Sequence, residues 1–157
     1  LHQLWYNPVK DIIMNLQDIK NSVSGDITID ETELDKESLR TPQLHNKYLI
    51  IYMDEKIILE KLQSDYIILK KKKWLYYTGK MSEEELVDLG WEPFQLTVLK
   101  TDIDKFIESD DEYIKQNHKV IFQREKVKYL ENILKVINNR QWYIRSAIDW
   151  IKFTQGA

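Results

Sequence analysis

Apolar residues recur at three-and-four spacing through two long stretches of the chain, the period of one face of an α-helix. The first stretch opens at Thr41-Pro42, an N-cap residue followed by a proline at the first helical position, where its missing N–H costs nothing. Leu44, Tyr48, Ile51, Tyr52, Ile58, Leu59, Leu62, Tyr66 and Leu69 then keep the period without a breaker until Gly79. This predicts roughly 36 residues, or about 54 Å of helix at 1.5 Å per residue. The second stretch is a heptad repeat through Val120, Gln123, Val127, Leu130, Leu134, Ile137, Gln141, Ile144, Ile148 and Ile151. Only two of these seam positions are polar, and Ile133, Trp142, Ala147 and Trp150 widen the seam to a face that suits three or more partner helices. An intramolecular hairpin with the first long helix would cover part of it. The remainder predicts self-association, with 113–153 as the oligomerisation helices and Val127, Leu130, Leu134, Ile137, Gln141, Ile144, Ile148 and Ile151 at the interface.

Shorter elements are expected around these two. A helix from Met14 to about Asn21 leads into a loop through Gly25 and an extended Ile27-Thr28-Ile29. Asp30 or Thr32 then caps a brief acidic helix to about Arg40. Ser82-Glu83-Glu84-Glu85 is a capping box whose helix ends at Gly90. Trp91-Glu92-Pro93-Phe94 reads as a turn and Gln95 to Leu99 as extended, and Thr101 caps a helix starting at Asp102. With only 4 Gly and 3 Pro in 157 residues, turn-rich β architectures are disfavoured. The expected fold is mostly α, with long antiparallel and coiled-coil-like helices around a small irregular middle segment. Residues 1–13 read as an extraneous or tag-like extension, and 14–157 as a single helical domain.

The absence of cysteine removes disulfides, thiolate metal sites and a cysteine nucleophile from consideration. No apolar run reaches the roughly 18 residues of a membrane span. His2, His45 and His118 are scattered, and Gly79-Lys80 lacks the rest of a phosphate loop. No catalytic residue, metal ligand or cofactor is expected. Asp110-Asp111-Glu112 reads as a solvated helix entrance favoured by the helix dipole.

A net charge of −3 conceals strong segregation. Residues 26–37 hold six acids and one lysine, and residues 83–92 hold five acids and no base. Residues 114–145 hold eight bases against two acids, and residues 70–80 hold five lysines and no acid. The last block combines Lys70, Lys71, Lys72, Lys73 and Lys80 with Trp74, Tyr76 and Tyr77. Single-stranded nucleic acid sites use this combination, lysines along the phosphates and aromatic faces beneath the bases. Lysines complementing the helix dipole over core aromatics would give the same pattern.

Thr41-Pro42-Gln43-Leu44-His45-Asn46-Lys47-Tyr48, Tyr76-Tyr77-Thr78-Gly79-Lys80 and Leu130-Glu131-Asn132-Ile133-Leu134-Lys135-Val136-Ile137-Asn138-Asn139-Arg140 resemble the UvsY family of T4-like phages, especially its marine relatives. Ala147-Ile148-Asp149-Trp150 and Phe153 to Gly156 are similar to its C-terminus, so the likeness runs collinearly over about residues 14–157. The resemblance implies a non-enzymatic recombination mediator that acts in the cytoplasm of an infected bacterial host. Its partners would be single-stranded DNA, a RecA-like recombinase, the phage single-strand binding protein and further copies of itself in a hexameric or heptameric ring. It also implies DNA binding by the basic positions matching Lys71 and Lys73, whereas Trp74 departs from the residue usual in the family. The other reading is an oligomeric helical scaffold or phage assembly chaperone that never touches DNA.

Overall fold

A computed structural model of the chain describes residues 15–156. The expectations for residues 1–13 and for Met14 lie outside them. Five helices are present among the described residues, and no strand: α1 (Leu16–Asp26), α2 (Leu34–Tyr77), α3 (Glu83–Leu89), α4 (Ile103–Glu108) and α5 (Asp111–Gln155). They divide into two compact units. One holds the described residues up to Ile58 and from Glu125 onward; the other is Leu59–Arg124.

In the first unit, the Asn15 side chain accepts the Gln17 amide at 3.2 Å and starts α1. Ile19 and Val23, four residues apart, are buried against Leu44 and Tyr48 of α2 and against Leu130, Ile133, Leu134 and Ile137 of α5. The loop expected from Asn21 to Gly25 is helix instead, because Val23 belongs to this core and Asp26 is anchored beyond it. The Asp26 carboxylate accepts Lys47 Nζ at 2.6 Å, the Tyr48 hydroxyl at 2.9 Å and Arg40 at 3.0 Å. Burial alone would raise its pKa, yet the Lys47 and Tyr48 hydrogen bonds outweigh burial and hold it below the usual carboxylate range. Ile27, Thr28 and Ile29 form a turn and irregular chain rather than an extended element.

The helix start expected at Thr41-Pro42 is overridden. Pro42 lies inside α2, which begins at Leu34 and absorbs the expected acidic helix. A proline there removes one backbone hydrogen bond. The face it belongs to explains why the helix continues: Leu34, Glu37, Thr41, Leu44 and Tyr48 are all buried at helical spacing. Arg140 of α5 pairs with Glu37 within that face and donates to the Ile27 carbonyl at 2.9 Å. The Thr41 hydroxyl donates to the Glu37 carbonyl at 3.3 Å. Burial and a buried ion pair thus decide against the local signal.

The heptad seam of α5 also turns out differently from expectation. Val127, Leu130, Leu134, Ile137 and Ile144 are buried within the chain, and Leu130, Leu134 and Ile137 pack on α1 and α2. These five therefore serve the chain's own interior. Gln141 is exposed, and Ile148 and Ile151 are half-buried. Large aromatic side chains stay exposed near the end of α5: Trp142, Trp150 and Phe153 are 74%, 65% and 77% exposed. Within the same unit, Lys126 and Glu55 form a 2.7 Å ion pair with both side chains 2% exposed.

Candidate nucleic-acid interface

The lysine-rich stretch closes α2 in the second unit, and helical spacing decides where each side chain goes. Tyr66, Leu69, Lys73 and Tyr77, at three-and-four spacing, fall on one face. Tyr66, Leu69 and Tyr77 pack against Ile103, Ile107 and Tyr113, and Tyr66 stacks on Tyr113 at 4.6 Å. Tyr76 and Tyr77 are half-buried among Trp91, Phe94 and Phe106, with neighbouring ring centroids 5.0–5.6 Å apart. Tyr76 also donates its hydroxyl to the Glu92 carbonyl at 2.8 Å. The two tyrosines of the candidate site therefore hold the unit together.

Lys73 follows them inward. It is 5% exposed, and its ammonium lies 3.0 Å from Asp110 and 2.9 Å from Glu112 and 3.8 Å from the centre of the Trp91 ring. The Tyr77 hydroxyl donates to the same Asp110 oxygen at 2.8 Å. The other Asp110 oxygen accepts the amides of Glu112 and Tyr113, each at 3.0 Å, and so caps α5. Asp110 is thus the hub of an ion-pair network, where the sequence predicted a solvated helix entrance. Burial would raise its pKa, but the Tyr113 amide, Lys73 and Tyr77 together hold it below the ordinary value. Lys73, read from sequence as a phosphate ligand, is instead turned away from solvent by this pairing.

An aspartate whose folded pKa is depressed contributes stability that is present above its unfolded pKa, near 3.8, and is lost as pH falls through the folded value. Lys73→Ala should lower the unfolding free energy by about 3 kcal/mol at neutral pH, from loss of a buried pairing partner. It should also flatten the decline in stability below about pH 4. Urea melts across pH 2.5–7 check both.

The outward face carries the rest of the cluster. Lys70, Lys71 and Lys80 are exposed, Lys72 is half-buried, and Trp74 is 40% exposed. Gly79 ends the helix with φ +67°, a conformation that glycine adopts freely. The Lys80 amide reaches back to the Leu75 carbonyl at 2.9 Å, and the Thr78 hydroxyl to the Trp74 carbonyl at 2.7 Å. This turn returns Lys80 over the helix end, with its ammonium 4.5 Å from the centre of the Trp74 ring. The result is a partly exposed aromatic ring beneath one cation, with Lys70 and Lys71 exposed one helical turn earlier.

The segments beyond α2 complete the unit. Ser82 and Glu85 form the expected capping box, and Gly90 ends α3 with φ +67°. Residues 91–99 follow without regular structure, and Asp102, rather than Thr101, occupies the N-cap of α4. A groove of about 630 Å³ opens between the end of α2 and the irregular segment, lined by Trp74, Lys80, Phe94 and Lys100 among others. Lys100 thereby joins Lys80 and Trp74, a residue the sequence reading missed. Its signal was slight: one lysine in a neutral stretch, placed by tertiary structure alone.

Among the described residues, no helix is long and apolar enough to cross a membrane. Residues 22–157 match the protein family described as "Recombination, repair and ssDNA binding protein UvsY". No curated protein matches the chain in sequence. Among solved structures, the bacteriophage T4 recombination mediator protein UvsY in its lattice type II superposes with a TM-score of 0.78 at 20% identity, over 90% of this chain and 98% of that one. Its lattice type IV gives a TM-score of 0.78 at 18% identity, over 89% of this chain and 99% of that one. At these identities the likeness establishes a shared helical fold.

Proposed function

From its membership of the UvsY family of recombination, repair and single-stranded-DNA-binding proteins, we propose that this chain is a recombination mediator that grips single-stranded DNA at the end of α2. The observation that carries this reading is the exposure of Lys70, Lys71 and Lys80 at the end of α2, with the Lys80 ammonium over the Trp74 ring. Cations bind the phosphates of a strand, and an aromatic face stacks a base whatever its identity. Lys72 adds charge from its half-buried position, while Lys73, Tyr76 and Tyr77 are turned inward to Asp110, Trp91 and Phe94.

Self-association multiplies this contact. The partner is a second copy of the chain, meeting the exposed Trp142, Trp150 and Phe153 stripe near the end of α5, where apolar surface of this kind is otherwise an aggregation hazard. A six- or seven-membered ring would convert weak sites into a multivalent wrap around the strand. Wrapping would loosen the phage single-strand binding protein and offer the strand to a RecA-like recombinase, a shift of relative affinities needing no ATP. Salt titration of binding to oligo(dT) tests the reading. Affinity falling steeply with salt supports it; absence of binding at low salt leaves the scaffold or assembly-chaperone reading.

A further inference from the structure

We propose that the groove beside the end of α2 is a base pocket, holding one splayed-out nucleobase of the strand whose phosphates the neighbouring lysines neutralise. The proposal rests on the single-stranded-DNA reading above and adds a second component of binding, one that depends on the bases. Three observations carry it. The volume, about 630 Å³, falls within the range of small-molecule sites, about 300–1,000 Å³. Its walls combine apolar and aromatic surface from Trp74 and Phe94 with the ammonium-bearing side chains of Lys80 and Lys100, and no acidic residue is among its described lining. Finally, Phe94 to Val98 belong to no helix or strand, and their backbone groups make no backbone hydrogen bond among the described residues.

These features select for one kind of ligand. A base has two flat apolar faces and a polar edge, and it is tethered to an anion on either side. Trp74 and Phe94 offer surface to the faces, while Gln95 and the open backbone beside it offer donors and acceptors to the edge. Lys80 and Lys100 supply charge for the flanking phosphates. An extended peptide could pair with the same backbone, but it would meet two cations without countercharge unless it were acidic. The combination of aromatic wall, open polar edge and unopposed positive charge is met more completely by a nucleotide. Lys100, on a different segment from the α2 lysines, would then mark where the strand leaves the helix.

The test compares a short oligo(dT) with a fully abasic strand of equal length, which keeps the phosphates and lacks the bases. The wild-type protein should bind the intact strand roughly 5- to 140-fold more tightly, the value of stacking one base. Thr97→Trp, a substitution at an exposed position lining the groove, should obstruct it and lower that ratio several-fold. Lys100→Gln, also at an exposed position, should lower the slope of log affinity against log salt by about 0.7 on the intact strand. Circular dichroism confirms that either variant is folded. Equal, salt-sensitive affinities of the wild type for the two strands would overturn the base pocket while leaving the DNA reading intact. A ratio that survives Thr97→Trp in a folded protein would overturn it as well, since the bases would then be held elsewhere. Failure to bind either strand would remove both proposals together.

Discussion

Lys126→Ala should lower the unfolding free energy by about 3–5 kcal/mol, the cost of removing one member of a buried ion pair. Its ammonium lies 2.7 Å from Glu55, and both side chains are 2% exposed, so water cannot replace the missing charge. The loss would be a fifth or more of the stability of an ordinary domain, about 5–15 kcal/mol. The physical cause is the loss of a buried cation 2.7 Å from the Glu55 carboxylate, which separates this effect from simple loss of packing. Accordingly, the double variant Glu55→Leu/Lys126→Met should recover most of the loss or exceed the parent, because apolar residues of similar volume often replace such a pair without cost. Chemical denaturation of the parent and the two variants gives the comparison. A double variant as unstable as Lys126→Ala would show that the site demands more than charge balance.

Ile137→Asp should cost several kcal/mol and unfold the first unit, because it puts an ionisable group among apolar side chains. Ile137 is buried with Ile19, Val23, Leu44, Tyr48 and Leu130, so the damage is to the subunit itself. Loss of helical circular dichroism at 25 °C, or a midpoint lowered by well over 10 °C, is the expected result. Trp142→Ala/Trp150→Ala, on the exposed stripe, should instead leave the subunit folded while reducing the mass of any assembly. A folded Ile137→Asp protein of reduced mass would return the seam to the subunit interface.

Legibility in the sequence followed the range of the forces involved. The α3 capping box and its terminal Gly90 were readable because every hydrogen bond that makes them lies within a few residues. The two long helices were readable from their period, since a buried face repeats whatever buries it. That same period could not say what covers the α5 seam, and α1 and α2 cover much of it. Pro42 misled for a related reason: the local preference for a helix start is weaker than the burial of Leu34, Glu37 and Thr41 ahead of it. Within the candidate site, four consecutive lysines are indistinguishable by composition. Spacing carried a usable signal, because Lys73 lies in register with Tyr66, Leu69 and Tyr77 on the inward face. Its partner Asp110 is 37 residues further along the chain, and only the fold brings the two together. Lys100 reached the groove in the same way.

If the outward lysines of the α2 terminus hold the phosphates of a single strand, removing them must flatten the salt dependence of binding. The slope of log affinity for oligo(dT) against log salt concentration is compared between the parent and Lys70→Ala/Lys71→Ala/Lys80→Ala. Each phosphate contact on a single strand contributes about 0.7 to that slope. All three lysines are exposed, so the variant should keep its fold. The expected slope is shallower by about 2 for each engaged copy of the chain, with affinity at low salt reduced in step. An unchanged slope and unchanged affinity in a folded triple variant would contradict it.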